Sequence, residues 1–190
     1  MPQTRMADSR ESSQPAYDDI ALMARVRKGD EGAFAQLIAR HELPLVNFFR
    51  RLGAYQEAED LAQVTFLRLF RYRTRYRPSA KFTTFLYTLA RHAWADHLRQ
   101  VARRERIVER GRIEWPTSDE ATSGMARARL DAQAALAALP EKLRMVVVMS
   151  LYQGLDYAEI AKALGIPVGT VKSRMFLALR RLRSWFDEQS

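Results

Sequence analysis

The segment DYAEIAKALGIPVGTVKSRMFLALRRLR (156–183) decides the fold of the C-terminal half of the chain. Residues 157–164 have helical spacing of apolar side chains, and Asp156 stands where an N-cap residue is expected. Gly165 can adopt the positive φ that ends a helix, and Pro167 disfavours helical backbone in the residue before it. A new helix is expected to begin just after the proline. Helix, tight turn and helix in succession predict a helix-turn-helix.

The second helix of this motif is predicted to present a basic, hydroxyl-bearing face. Ala161 is small where two helices cross, and an internal core is predicted from Ile160, Leu164, Ile166, Val171 and Met175. Residues 170–183 contain five bases and no acid. Such a face suits base edges and phosphates in a DNA major groove; the plainer alternative is a helical hairpin with a solvated basic face. The candidate DNA-binding residues are Thr170, Lys172, Ser173, Arg174, Phe176 and Arg180.

Composition restricts the partners and the chemistry. The chain of 190 residues has a net charge of +9 and no cysteine, which favours an anionic partner and excludes disulfides and thiolate metal sites. No apolar run is long enough for a membrane span, and the N-terminus lacks the apolar stretch of a signal peptide, so we expect a cytoplasmic protein. The three histidines lack metal-ligand spacing, and no phosphate-cradling glycine loop is present. We therefore expect no enzyme activity, no cofactor, no metal and no small-molecule substrate.

Hydrophobic periodicity predicts an all-α protein with two small helical domains joined by a flexible linker, because nearly every patterned segment repeats at three and four residues. The linker is indicated by GRIEWPTSDEATSGM (111–125), which mixes Gly, Pro, Ser and Thr without periodicity. The predicted organisation is a disordered tail over 1–17, a first domain over 18–105, a linker over 106–125 and a second domain over 126–187.

One helix of the first domain, EAEDLAQVTFLRLFR (57–71), has a mixed outer face. Asp60, Gln63, Val64 and Leu67 line up at three- and four-residue steps, opposite the apolar stripe. An acid and an amide beside two aliphatic side chains are typical of a protein interface. The alternative is that the two aliphatic residues are ordinary scattered surface positions.

The next segment, RLFRYRTRYRPSAK (68–81), contains six bases and three aromatic residues without an acid. Arginines interleaved with aromatic rings are typical of sites for single-stranded nucleic acid. In the helix that follows, the pattern leaves polar and aromatic side chains off the core face, where they can stack on bases or simply brace a neighbouring helix. The candidates in these two segments are Arg77, Lys81, Thr84, Tyr87, Arg91 and Trp94.

Taken in order, the motifs EDLAQ-TFLRLF, a basic turn, F-TFLYTLAR and IAKALGIPVGTVKSR resemble a bacterial sigma factor of the extracytoplasmic-function (ECF) group. The resemblance covers about residues 18–183 and joins several motifs at the expected spacing, which makes it more specific than a helix-turn-helix alone. It departs from the usual family pattern at three positions: Val64 replaces a glutamate, Phe85 a tryptophan and His92 an asparagine.

The resemblance implies a role for each part. The 57–71 helix would contact the clamp helices of the RNA polymerase β′ subunit, and the second domain would contact the β flap and read the −35 element of promoter DNA. The 82–99 helix, with His92 added to the candidates, would hold the melted −10 element. The linker would thread the RNA exit channel, and an anti-sigma factor would hold the protein inactive.

The function predicted from these residues is a promoter-specificity subunit that binds core RNA polymerase, recognises −35 and −10 elements and helps melt DNA. Two other hypotheses remain open at this point. One is a stand-alone helix-turn-helix regulator whose first domain senses a signal or dimerises. The other is a protein-binding module that imitates a sigma factor and titrates its regulator.

Overall fold

The computed structural model describes residues 14–77, 81–107 and 124–188, which contain eight α-helices and no strand. The predicted all-α class is confirmed. None of the helices in these ranges is long and apolar enough to cross a membrane. The helices are α1 (Gln14–Arg27), α2 (Glu31–Leu52), α3 (Ala58–Arg71), α4 (Phe82–Ile107), α5 (Gly124–Ala138), α6 (Glu141–Val147), α7 (Tyr157–Leu164) and α8 (Val168–Glu188).

The helix boundaries differ from the predicted domain limits by a few residues. Helix α1 begins at Gln14, so residues 14–17 are helical where a tail was predicted. Helix α4 continues to Ile107 and α5 begins at Gly124, so both ends of the predicted linker are helical. Residues 1–13 and 108–123, the rest of the predicted tail and linker, lie outside the described residues.

Helices α1 to α4 form the first domain around a fully buried aromatic and aliphatic core. Asp30 begins α2 by accepting a hydrogen bond from the Ala33 backbone N–H at 2.9 Å, and Gly53 ends it with φ 113°. Both are local sequence markers that set the length of the helix. The largest buried side chains of this core are Met23, Leu37, Leu45, Phe48, Phe49, Leu69, Phe82 and Leu86.

Helices α5 to α8 form the second domain, in which α6 packs on α8. Its buried positions include Val146, Ile160, Val171 and Met175. A π-helical turn over Val148–Tyr152 follows α6. The wider turn shifts the side-chain register, and Leu151, which the periodicity places in the core, is 64% exposed.

The two domains pack directly against each other. The Arg144 guanidinium donates from Nη1 to the backbone carbonyl of Leu52 at the end of α2, at 2.7 Å. Arg51, which precedes Leu52 in α2, stacks its guanidinium over the Tyr152 ring, with Cζ 4.1 Å from the ring centroid. The buried residues of both domains form one continuous hydrophobic cluster. The sequence pattern contains no indication of this contact.

An almost buried carboxylate holds α1 on α2. Asp19, 4% exposed, accepts hydrogen bonds from Arg40 Nη1 at 3.0 Å and from His41 Nε2 at 2.8 Å. Burial is the largest single influence and raises the pKa of Asp19, but the hydrogen bonds and charges of His41 and Arg40 together outweigh it. The net effect is a pKa below the ordinary 3.8, which means that folding favours the ionised form.

We predict that Asp19→Asn lowers the free energy of unfolding by about 1–3 kcal/mol, because charge-assisted hydrogen bonds to a nearly buried carboxylate are lost. Since the folded-state pKa is lowered, the contribution is complete above pH 3.8 and is lost as the pH falls through the lowered value. Urea unfolding at pH 7 and at stepwise lower pH measures the free energy of unfolding of both proteins, and their difference gives the contribution of Asp19. Asp131→Asn, an exposed position in α5, is the matched control and should change stability by less than about 0.5 kcal/mol. Equal effects of the two variants at pH 7 would contradict the role of Asp19.

Candidate nucleic-acid and protein-binding sites

The predicted helix-turn-helix is formed by α7 and α8. Asp156 accepts a hydrogen bond from the Glu159 backbone N–H at 2.8 Å, and the Glu159 carboxylate accepts one from the Asp156 N–H at 2.9 Å. This capping box fixes the start of α7. Gly165 has φ 66°, and the N–H of Ile166 donates to the Ala161 carbonyl at 3.0 Å. The predicted cap, turn and helix start are all confirmed.

The outward face of α8 carries most of the candidate DNA-binding residues. Phe176 is 66% exposed, and Lys172, Ser173 and Arg180 are exposed beside it. Thr170 is half-buried, and its carbonyl accepts the Ser173 hydroxyl at 3.1 Å. This face combines cationic, hydroxyl and aromatic groups on one side of a helix, as a major-groove reader requires.

Arg174 is separated from this face. Its half-buried side chain lines a cleft of about 330 Å³ between the two domains, together with Arg91, Trp94 and Leu164. The sequence pattern grouped Arg174 with Lys172 and Ser173, but a two-residue step turns a helical side chain through about 200°. In this arrangement of the domains, Arg174 therefore points towards the first domain.

Helix α3 presents the predicted mixed surface to solvent. Leu67 is 67% exposed and Val64 is 37% exposed, with Asp60 and Gln63 exposed beside them. Next to these side chains lies a groove of about 260 Å³ between α2 and α3. Phe34 and Ile38 of α2 line its far wall; the sequence reasoning did not single them out, because they belong to the ordinary apolar stripe of α2.

The basic segment after α3 uses its aromatic rings internally. A 3-10 turn spans Arg73–Arg75. The guanidinium of Arg73 stacks over the Phe70 ring at 4.2 Å, and that of Arg75 stacks over the Tyr72 ring at 5.0 Å. Tyr76 is 2% exposed and packs against Phe85, with ring centroids 5.3 Å apart. The rings expected for base stacking are therefore occupied. Arg77 is exposed at the end of the segment, and residues 78–80 lie outside the described part of the chain.

Three of the candidate residues of α4 bond to the second domain, namely Tyr87, Arg91 and Trp94. Thr84, Tyr87 and Trp94 are 2%, 3% and 5% exposed. Burial raises the pKa of the Tyr87 phenol far above its ordinary 10.0, so that the group is protonated and donates a hydrogen bond. The sequence pattern predicted a surface off the core of the first domain; the structure covers most of that surface with α6, α7 and the loop before α7.

Four polar contacts join this face of α4 and the preceding residue, Lys81, to the second domain, and we call them the interdomain clasp. The Tyr87 hydroxyl donates to Gln153 Oε1, Arg91 Nε donates to the Ala163 carbonyl at 2.9 Å, Trp94 Nε1 donates to Glu141 Oε1 at 3.2 Å, and Lys81 Nζ pairs with Glu159 Oε1 at 3.0 Å.

Two residues of α4 stand out within this region. The Thr84 hydroxyl is buried without a hydrogen-bond partner in the described residues. His92 is exposed and accepts a hydrogen bond from Arg91 Nη2 at 2.6 Å. Burial, followed by the positive charges of Arg91 and Arg68, lowers the pKa of His92 below its ordinary 6.5. The imidazole is thus neutral near pH 7 and can both donate and accept hydrogen bonds.

The clasp partners in the second domain, Glu141, Gln153 and Glu159, escaped the sequence reasoning. Only Glu159 had a recognisable pattern, as the third residue of the capping box begun by Asp156. Glu141 and Gln153 have no local pattern, because their partners lie 47 and 66 residues away along the chain. Among the described residues, no group of three His, Cys, Asp or Glu side chains is placed to hold a metal ion.

Comparison with protein families gives two matches that agree with the two domains. Residues 37–104 match sigma-70 region 2, and residues 129–182 match sigma-70 region 4. The RNA polymerase sigma-H factor of Pseudomonas aeruginosa is 31% identical over 172 residues, which cover 84% of this chain and 89% of that protein. The ECF RNA polymerase sigma-E factor of Escherichia coli K12 is 29% identical over 171 residues, which cover 84% of this chain and 90% of that protein.

Solved structures share the fold. CnrH in complex with the cytosolic domain of CnrY superposes with a TM-score of 0.70 at 24% identity, over 91% of this chain and 99% of that one. The sigma factor RpoE from Bartonella quintana, in complex with the anti-sigma factor NepR, gives a TM-score of 0.67 at 22% identity. The match covers 81% of this chain and 96% of RpoE. At these identities the likeness concerns the fold of the two helical domains.

We predict that Gly165→Ala destabilises the helix-turn-helix by about 1–2 kcal/mol, because φ 66° is strained for a residue with a Cβ. A Cβ at this position would meet no atom within 4 Å, so the effect should be purely conformational. Gly165→Asn is the matched control, since asparagine tolerates this backbone region better, and it should lose less stability. Thermal unfolding followed by circular dichroism compares them; equal losses in both variants would show that backbone strain is not the cause.

Proposed function

The chain belongs to the sigma-70 family, in its ECF group, and directs promoter-specific initiation of transcription; we propose that it does so through three surfaces with separate tasks. The α3 face binds core RNA polymerase, the α4 face holds the −10 element, and the outward face of α8 reads the −35 element. The observation that carries the proposal is the presence of one exposed basic reader face and one exposed mixed apolar face on different domains. A stand-alone regulator is not favoured, because both sigma-70 regions match in order.

Binding to the polymerase is assigned to Asp60, Gln63, Val64 and Leu67. Their exposure, together with the neighbouring groove, gives an apolar centre with polar groups at its edge, which is the usual anatomy of a protein interface. The partner proposed for this face is the pair of clamp helices of the β′ subunit. Since Val64 stands where the family usually has glutamate, that contact is apolar in this protein. The second domain is proposed to contact the β flap.

The −10 element is assigned to the α4 face and the basic residues before it. The set comprises Arg77, Lys81, Thr84, Tyr87, Arg91, His92 and Trp94. Cationic groups suit the phosphates of a separated strand, and an aromatic ring with a polar edge suits an unstacked base. Because Nε2 of neutral His92 accepts from Arg91, its Nδ1–H is the group left to donate to a base edge, in place of the asparagine that is usual in the family.

The −35 element is assigned to Thr170, Lys172, Ser173, Arg174, Phe176 and Arg180 of α8. Lys172, Phe176 and Arg180 lie on one side at four-residue steps, which places two cations and a ring along the groove. Arg174 projects from a different side of α8 and lines the cleft between the domains; it is kept in the set as a residue that DNA reaches only after the cleft opens.

The protein itself is proposed to carry no catalytic step, because the chemistry of polymerisation belongs to the polymerase. An anti-sigma factor is a further proposed partner. This chain shares the fold of the sigma factor RpoE, and RpoE is bound to the anti-sigma factor NepR in its solved structure. The proposed site of action is the cytoplasm, where the chromosome and polymerase of a bacterium lie.

Run-off transcription with purified core RNA polymerase tests the proposal. With fragmented genomic DNA as template, the protein should produce discrete transcripts that core polymerase alone does not make. Absence of any protein-dependent transcript would overturn the proposed function.

We predict that Asp60→Ala and Arg174→Ala separate the two activities. Asp60→Ala should weaken binding to core polymerase about fivefold or more, by loss of an interface contact, with little change at the −35 element. Arg174→Ala should weaken −35 binding by the assembled holoenzyme by about 1–3 kcal/mol with core affinity unchanged. Fluorescence anisotropy with labelled core, and with labelled −35 duplex, measures both.

Each variant serves as the control for the other. Glu31→Ala, another exposed acid in the first turn of a helix, tests whether any loss of charge weakens core binding. Equal loss of both activities in both variants would contradict the assignment of separate surfaces.

A further inference from the structure

A cleft of about 180 Å³ lies where the end of α2 meets α5 and α6, and we call it the junction cleft. Asn47, Arg50 and Arg51 line it from the first domain, and Gln133 and Arg144 line it from the second. None of the described lining residues belongs to the surfaces proposed for core polymerase, the −10 element or the −35 element. The proposed function therefore leaves this cleft unexplained.

The junction cleft concentrates positive charge without a matching acid. None of the described residues that line it is acidic. Arg50 Nη2 pairs with Glu59 Oε1 at 3.1 Å, but the two side chains are 46% and 71% exposed, so solvent screens the pair. Within the described part of the chain, Arg51 contacts the Tyr152 ring and Arg144 contacts backbone carbonyls, and neither pairs with a carboxylate. The cleft is thus left with an excess of cationic charge.

The charge of Arg144 is poorly compensated. Its guanidinium donates to the carbonyls of Leu52, Ala137 and Leu139 at 2.7, 2.7 and 2.9 Å, and its buried Nε has no partner in the described residues. Burial is the largest influence on the pKa of Arg144 and lowers it below the ordinary 12.5, which means that the fold disfavours the charge. Gly53 permits this close approach, since a Cβ there would lie 3.4 Å from Arg144 Nη1. An anion in the cleft would offset the desolvation of the guanidinium.

The lining side chains offer donors that the protein itself does not use. Asn47 and Gln133 make no side-chain hydrogen bond within the described residues. Arg51 stacks by its face over Tyr152, which leaves its N–H edges free to donate in the plane of the guanidinium. Amide and guanidinium donors around one cleft match the several acceptor oxygens of a phosphate group.

The size of the junction cleft favours a compact anion. Sites for drug-sized organic ligands occupy about 300–1,000 Å³, and this cleft is smaller, at about 180 Å³. A strand of nucleic acid needs a basic groove that follows its backbone, with rings on which bases stack. Of the described lining residues, Tyr55 alone is aromatic. A phosphate or diphosphate carried by a small molecule therefore fits better than a nucleic-acid backbone.

From these observations we infer that the junction cleft binds the phosphate or diphosphate group of a small molecule. Arg50, Arg51 and Asn47 hold the group from the first domain, and Gln133 donates to it from the second, where Arg144 adds a positive field. Because both domains provide donors, the anion links them and leaves when they move apart. The bound anion thereby stabilises the closed form, in which the clasp joins the two domains.

Isothermal titration calorimetry of the full chain with inorganic pyrophosphate, at constant ionic strength, measures binding. The wild type should bind with a Kd of about 1 mM or below. Arg50→Gln combined with Arg51→Gln removes two guanidiniums of the cleft and should weaken binding about tenfold or more. The matched control, Arg25→Gln with Arg27→Gln, removes two exposed charges at the end of α1, one of which also pairs with an acid, and it should bind like the wild type.

Two outcomes of this titration would overturn the inference. One is the absence of pyrophosphate binding by the wild type. The other is an equal loss of affinity in the two double variants, because the anion would then respond to the net charge of +9 and not to the cleft. Circular dichroism establishes that each variant retains native helicity before it is titrated.

A variant of the opposite wall tests whether the site spans both domains. Gln133→Ala removes an amide of α5 and should weaken pyrophosphate binding about threefold or more, since one donor to an anion is lost. Gln36→Ala, at an exposed position of α2 outside the cleft, is the matched control and should bind like the wild type. Unchanged binding by Gln133→Ala would show a site on the first domain alone and would contradict the linkage of the domains.

Thermal unfolding provides a readout of the folded state. A ligand that binds only the folded chain stabilises it by mass action, so pyrophosphate at ten times its Kd should raise the Tm by about 3–6 °C. The variant Arg50→Gln with Arg51→Gln should show little of this rise. An equal rise in that variant and in the wild type would identify a general salt effect and overturn the inference.

A labelled single-stranded DNA of about 10 nucleotides distinguishes the other source of phosphate. The variant Arg50→Gln with Arg51→Gln should bind this strand as the control Arg25→Gln with Arg27→Gln does. A selective loss of strand binding in the first variant would place nucleic acid in the cleft and overturn the assignment to a small molecule. None of these measurements involves transcription, so the inference can fail while the proposed function stands.

Discussion

The polar groups on one face of α4 can be satisfied in only one way at a time. Tyr87, Arg91 and Trp94 bury donors that must find acceptors, and in this structure the second domain supplies them. Nucleic acid would have to supply acceptors to the same atoms. The arrangement of the domains therefore decides whether the α4 face proposed for the −10 element is accessible.

Two of the proposed binding surfaces remain exposed in the closed form. The mixed face of α3, including Leu67, and the outward face of α8, including Phe176, both remain open to solvent. A partner can dock on α3 without disturbing the clasp. Each domain needs only a modest affinity for its own DNA element, because a polymerase that holds both domains makes the second contact effectively intramolecular. The proposed DNA contacts include Lys and Arg side chains, so their affinity should fall steeply as the salt concentration rises.

The candidate sites were predictable to different degrees, and the difference has a physical cause. Exposure of Asp60, Gln63, Val64 and Leu67 follows from the helical period, because the opposite stripe must face the core. The outward direction of Phe176 follows in the same way. The same reasoning did not place Tyr76 in the core of its own domain, where it packs. It left open whether Tyr87 and Trp94 stack on bases or brace a neighbouring helix, and in the structure the second domain covers both. Periodicity reports one buried face for each helix, and α4 has two.

By itself, the sequence determined the all-α class, the helix-turn-helix and the turns that delimit its helices, since caps such as Asp156 and turn residues such as Gly165 act on neighbours within a few positions. Only the tertiary structure decided the relation between the domains. The clasp joins residues 47, 66 and 72 positions apart, through ordinary polar side chains that have no local pattern. Contacts of that kind depend on where two finished domains meet in space, and a linear pattern of apolar and polar residues contains no record of that.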